Sequence, residues 1–203
     1  MPPLAPVVVA VVAMTASSRA PDFPEGRYGA VVSDPPWAFR TWSDKGRDRS
    51  ADKHYGLLDL DAIKALPVAN LAAPDCALFL WATWPMLGDA LEVIRAWGFK
   101  YKSVGFVWVK VNKDDTPFMG LGYWTRANTE PCLLATRGKP KRLHADVSQV
   151  IIEPRREHSR KPDCIHERIE RLVGGPYIEL WARRSERPGW TFWGDEIDLF
   201  NKA

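Results

Sequence analysis

A chain of 203 residues, 46% hydrophobic and 26% charged, has apolar material for one sizeable core and too little length for two ordinary domains. A formal net charge of +3 neither demands nor forbids a nucleic-acid partner, so local patches carry that question. Three scattered cysteines, at 76, 132 and 164, form no CxxC pair and no Cys/His ligand spacing, which excludes a disulfide-built scaffold and argues against a zinc site.

Residues 1–27 read as a partly flexible N-terminal extension, and 28–203 as a single domain. The apolar run 7–14 has no basic residue ahead of it and is too short to span a bilayer, so a cytoplasmic protein is expected, with reduced thiols. YGAVVS at 28–33 is a buried strand, and 38–56 is a long polar loop. Asp59 is an N-cap for a short helix over 60–66. CALFLWA at 76–82 is a second strand. Pro85 opens a helix that Gly98 stops after Trp97. A third strand covers 103–109, a loop 112–129, a fourth strand 130–136, and a short strand 147–152. Pro162 starts a helix that ends at 173–175, a last buried strand covers 177–182, and a tryptophan-rich tail follows. Continuous apolar strands alternating with helices predict an α/β fold: a mixed, mostly parallel sheet with helices on both faces. In such sheets ligands sit beyond the carboxyl ends of the strands. Asp34 and Arg183 both stand at such ends.

The sequence Asp34-Pro35-Pro36-Trp37 follows the first strand directly. Asp before Pro-Pro is a fair turn sequence, and a tryptophan after it can simply pack. The residues also suit a nucleobase amine. Such an amine is a poor nucleophile because its lone pair is delocalised into the ring. A carboxylate and a backbone carbonyl can accept its two N–H bonds, proline holds that carbonyl still, and an aromatic plane can stack on the base.

DPPW resembles the catalytic tetrapeptide of S-adenosylmethionine-dependent amino-methyltransferases, and the closer resemblance is to the MT-A70-like adenine methyltransferases. HYG at 54–56, ALFLWAT at 77–83, the WGF to VWVK stretch at 97–110, EPCLLATRGKP at 130–140, RKPD at 160–163, IERL at 169–172, IELWAR at 178–183 and the GW to WGDE stretch at 189–196 follow in the family's order. The resemblance covers about residues 29–198. It implies a Rossmann-like methyltransferase fold with permuted motif order, catalytic motif early and cofactor strand late. The absence of GxGxxG fits that order.

The resemblance also implies roles. Asp34 and the Pro35 carbonyl would hold the target amine, with Asp34 near the cofactor's amino group; Pro36 completes the motif and Trp37 lines the base pocket. Tyr55 would lie beside a flipped base. Lys161 would pair with the cofactor's carboxylate, and Arg183, Asp195 and Glu196 would sit near its ribose and adenine. Glu130 would lie near the acceptor base. Trp124, Arg126 and Asn128, in GLGYWTRANTE, have the composition of a base-contacting loop. Glu179, an acid inside an apolar strand, needs a basic partner. Three basic clusters are expected to rim the pocket: Arg40, Lys45, Arg47 and Arg49; Arg137, Lys139, Lys141 and Arg142; Arg155, Arg156 and Arg160. The expected activity is direct methyl transfer from S-adenosylmethionine to the 6-amino group of adenine in nucleic acid, without a metal. DNA is favoured over RNA, since a chain this short shows no added RNA-binding domain. The alternatives are an RNA adenine or a cytosine amino-methyltransferase, and a catalytically inactive nucleic-acid-binding partner.

Overall fold

The apolar run YGAVVS forms β1 (Tyr28–Ser33), and its place in the sheet follows from its composition. A strand with no polar face is covered on both sides and paired on both edges. In the computed structural model, which describes residues 22–37, 58–120, 122, 124–157, 160–184 and 186–197, β1 lies between two parallel neighbours. Tyr55 and the basic cluster at 40–49 lie outside the described residues.

The sheet has seven strands in the order β5-β3-β4-β2-β1-β6-β7. They are β2 (Ala72–Trp81), β3 (Lys100–Val111), β4 (Thr129–Arg137), β5 (Val150–Pro154), β6 (Tyr177–Leu180) and β7 (Trp190–Trp193). Every neighbouring pair is parallel except those of β4, which runs antiparallel to both β2 and β3. This is a mixed, mostly parallel α/β sheet of the Rossmann-like methyltransferase kind.

Side chains alternate between the two faces, as the pleat requires. Val31, Leu78, Leu80 and Leu133 face α1 (Leu60–Ala65), α2 (Val68–Leu71) and α3 (Leu87–Ala96), meeting Ile63, Leu71, Val93 and Ile94. Val32, Phe79, Trp81 and Phe106 point the other way, towards Ile165 and Ile169 of α4 (Cys164–Leu172). The caps are those expected: Asp59 accepts from the Ala62 amide at 2.7 Å, and α3 ends at Trp97 before Gly98, whose φ of +79° favours glycine. No described helix is long and apolar enough to cross a membrane.

Helix α2 is not among the expected elements, β5 lies at Val150–Pro154 where 147–152 is expected, and two further departures fall near the end of the chain. The tryptophan-rich tail contains β7, an edge strand too short to show a period; Trp190 stacks on Tyr177 of β6 at 4.9 Å. The strand expected over 177–182 stops at Leu180, because Trp181 adopts φ +58° and leaves the ladder.

The strand directions decide what can meet. The carboxyl ends of β1, β2, β3, β5, β6 and β7 share one edge. Antiparallel β4 brings its first residues there too, Trp81 pairing with Cys132 and Trp108 with Glu130. The last residue of β4, Arg137, therefore lies at the opposite edge, paired with Cys76 and donating to the Ala69 carbonyl at 2.7 Å. The cluster that follows it does not rim the carboxyl edge, contrary to expectation, because sequence order does not reveal strand direction.

Candidate active site

Asp34-Pro35-Pro36 ends β1 because two prolines cannot donate to the ladder. The tetrapeptide is then fixed from three sides. The Trp37 amide donates to the Pro35 carbonyl at 2.8 Å, the Leu58 amide to the Pro36 carbonyl at 3.2 Å, and the Trp37 indole N–H to the Trp81 carbonyl at 3.0 Å. Trp37 is 8% exposed and packs in the core. It braces the turn.

The Asp34 carboxylate points at Lys161, on the segment between β5 and α4. Lys161 Nζ lies 2.7 Å from Asp34 Oδ2 and 2.8 Å from Glu130 Oε1. Lys110, next to last in β3, places its Nζ 2.6 Å from Glu130 Oε2. Both ammonium groups also lie over indoles, Lys161 at 5.5 Å from the Trp81 centroid and Lys110 at 4.8 Å from that of Trp108. Asp34, Lys161, Glu130 and Lys110 thus form one alternating chain of charge, with side chains 21%, 10%, 11% and 25% exposed.

The two acids are not equivalent. Burial pushes both up. At Glu130 the two lysines outweigh it and hold the carboxyl at about 2. At Asp34 burial prevails over Lys161, with the nearby Glu130 charge adding to it, so this carboxyl lies above its ordinary value. Burial opposes the charge on Lys161, but Asp34 and Glu130 overcome it and raise the ammonium above the usual lysine range. Two carboxylates sharing one cation are driven apart in this way. Burial also lifts the Cys132 thiol well above its ordinary value, so it is no ready nucleophile.

Past β6, Arg183 Nε lies 2.9 Å from Glu196 Oε2, and Asp195 beside it is exposed. The two segments meet through Ala182, whose amide donates to the Trp193 carbonyl at 2.9 Å. A Cβ on Gly194 would stand 2.7 Å from the Ala182 oxygen, so this position needs glycine. Gly194→Ala is expected to destabilise the protein by ~2 kcal/mol, read as a lower Tm in thermal unfolding. Trp181 holds its left-handed backbone against Trp97, stacked at 6.4 Å, and Trp193, edge-on at 5.9 Å; such strain concentrates at functional sites.

On the loop between β3 and β4, Gly120 donates to the Ala127 carbonyl at 3.0 Å and the Asn128 carbonyl accepts from Lys110 at 2.8 Å. Trp124 is fully exposed, not packed into its own loop. Among the described residues, Trp124 and Arg126 form no hydrogen bond or ion pair with the Asp34 group.

Lys110, the arginines around Asp163 and the identity of the partner of Glu179 leave little mark on the sequence. Lys110 carried a weak signal, a lysine closing the apolar strand VWVK. Asp163 of RKPD gathers Arg156, Arg160 and Arg184; burial pushes its carboxyl up, but the arginines hold it at about 2. The basic partner expected for Glu179 is His166, at 2.6 Å. Among the described residues, no group of three or more His, Cys, Asp or Glu is arranged to hold a metal.

The MT-A70 family model matches residues 28–196, the whole span that carries this geometry. The chain belongs to the MT-A70 family. It is 32% identical over 195 residues to the type II methyltransferase M.MunI of Mycoplasma sp, covering 87% of this chain and 81% of that one. It is 30% identical over 178 residues to the human N(6)-adenosine-methyltransferase catalytic subunit METTL3, covering 85% of this chain and 29% of the human protein. The MT-A70-like N(6)-adenosine-methyltransferase of Arabidopsis thaliana is 29% identical over 85% of this chain and 24% of its own length. The chain thus spans most of M.MunI and about a quarter of the eukaryotic proteins. As an MT-A70 member it is an adenine N(6)-methyltransferase, with S-adenosylmethionine as methyl donor.

Proposed function

We propose that this chain methylates the 6-amino group of adenine in DNA, with Asp34 and the Pro35 carbonyl receiving the amine. The observation that carries this reading is the Asp34–Lys161 pair at 2.7 Å, beside a backbone turn locked by two prolines. An adjacent carboxylate and ammonium complement both charges of an amino-acid end, so the residues fit S-adenosylmethionine. Lys161 would hold its carboxylate and Asp34 its ammonium, with Arg183, Asp195 and Glu196 on the ribose side. The bound cofactor supplies a methyl group made electrophilic by a sulfonium.

The chain's own groups prepare the amine. Asp34 accepts one N–H. The Pro35 carbonyl, already fixed in direction by the Trp37 amide, has a second lone pair for the other. Both acceptors are preorganised towards positive charge developing on nitrogen. A carboxyl lifted above its ordinary value is also a better acceptor for the proton that nitrogen must lose. Glu130, bound by two lysines, keeps Lys161 in place and lends a full negative charge near the acceptor. Asn128, Trp124 and Arg126 belong to the loop offered to the base, and Tyr55 is assigned beside it. The base must leave its stack to reach Asp34.

DNA is preferred because the match to a type II methyltransferase runs along most of both chains. The second reading is RNA, favoured by relatives whose names specify adenosine, the ribonucleoside. Labelled methyl transfer to matched single-stranded DNA, duplex DNA and RNA, with mass analysis of the digested nucleosides, separates them. N(6)-methyldeoxyadenosine is expected. Product in RNA alone would replace DNA by RNA, and no product with cofactor bound would point to a non-catalytic partner role.

A further inference from the structure

On the same sheet edge as the amine site, with β4 and β2 between them, is a cleft of about 530 Å³ that the charge network does not use, lined by Val111, Asn112, Lys113, Pro154, Arg155, Arg156 and Glu157. It opens where β3 and β5 end side by side, Val111 pairing with Pro154. One wall begins at the residue after Lys110. The other leads to Lys161, and Arg156 ties that segment to Asp163.

The charges in the cleft are unequal in a useful way. Glu157 is taken up by Arg160 at 3.1 Å, and Arg156 by Asp163. Among the described residues, Lys113 and Arg155 have no carboxylate partner. Arg155 is nevertheless held: its guanidinium carbon lies 4.0 Å from the centroid of the Phe118 ring. A guanidinium resting on a ring keeps its N–H edges open while losing less freedom when it binds an anion. Two uncompensated cations, one of them pre-set, make a site for negatively charged oxygen.

We propose that this cleft holds backbone phosphates of the acceptor strand next to the nucleotide whose base enters the Asp34 site. The inference rests on the reading of the acceptor as a nucleic acid. A polymer whose base is turned towards Asp34 must carry its neighbouring phosphates across the same sheet edge. The cleft lies on that edge, one residue from Lys110. Contacts of this kind fix register and carry no sequence information. The cations at the opposite edge, Lys139 and Lys141, follow β4 and lie out of reach.

The test compares the full chain with Lys113→Ala/Arg155→Ala and with Lys139→Ala/Lys141→Ala. Binding of a labelled adenine-containing single strand, as DNA and as RNA, is measured by anisotropy across a potassium chloride series. S-adenosylmethionine binding is measured separately by calorimetry. The cleft variant is expected to bind about 10-fold more weakly and to lower the salt slope by about 1.4, two contacts at roughly 0.7 each. The control variant keeps the wild-type slope, and both keep cofactor affinity. A wild-type slope in the cleft variant, or an equal loss in the control, overturns the phosphate cleft alone. No binding of either strand by the wild-type chain, with cofactor bound, overturns the nucleic-acid reading and the cleft together.

Discussion

Replacing Asp34 with alanine lowers methyl transfer about a thousand-fold and leaves S-adenosylmethionine binding measurable. The size follows from what is removed. A preorganised electrostatic partner is worth about 10²–10³ in rate, and a positioned proton acceptor about 10²–10⁴. Asp34 is assigned both tasks on one atom group, so the losses overlap and do not multiply. The fold survives, because Lys161 retains Glu130 at 2.8 Å and Glu130 retains Lys110 at 2.6 Å. Asp34→Asn separates the two tasks. Its amide oxygen still accepts an N–H, but it has neither the charge nor the basicity, so its rate falls between wild type and alanine. Single-turnover rates and calorimetry on the same preparations give the comparison. An alanine variant with near-full rate would remove Asp34 from the chemistry.

The site was legible wherever local chemistry leaves a mark on the chain. An acid ending an apolar run, followed by two prolines, announces both a strand end and a fixed carbonyl. Asp59 and Gly98 announce helix ends for equally local reasons. The parts that escaped depend on strand direction or on pairs far apart in sequence. Arg137 and its neighbours read as part of the rim because they follow a motif strand, but β4 runs backwards and carries them to the far edge. Glu130 read as a neighbour of the base, and its tie to two lysines needed β3, β4 and the segment before α4 to converge. Trp37 read as lining the base pocket or as simple packing, and its indole N–H bond to Trp81, 44 residues away, was marked by neither. In each case the residue type was informative and the partner was not.

Lys161→Met makes stability and cofactor binding fail together, and pH separates the causes. The substitution leaves Asp34 and Glu130 near each other, with Lys110 as the remaining ammonium of the chain. Breaking a buried pair by removing one partner costs about 3–5 kcal/mol, because the stranded charge stays buried. In the wild-type chain, Glu130 titrates at about 2, below its ordinary 4.5. Its contribution is therefore complete above pH 4.5 and lost as pH falls towards 2. At Asp34, burial already raises the carboxyl, and without Lys161 it rises further. A group raised on folding contributes most below its unfolded value and loses that contribution as pH rises through the folded one. The penalty of Lys161→Met is thus largest where Asp34 is ionised and shrinks as the pH falls and Asp34 takes up a proton. The gap in Tm between wild type and variant should narrow as the pH is lowered. Lys161→Arg keeps the charge and so recovers most of the stability. Its planar fork does not reproduce a point-charge contact to a carboxylate, and cofactor affinity stays depressed. For Lys161→Met the loss of one charge-assisted contact predicts binding about 30-fold weaker in calorimetry. A pH-independent Tm gap would show that Asp34 was never stranded, and unchanged cofactor affinity would take Lys161 out of the binding site. The two readouts fail separately, because one reports the protein's own carboxylates and the other reports the ligand's.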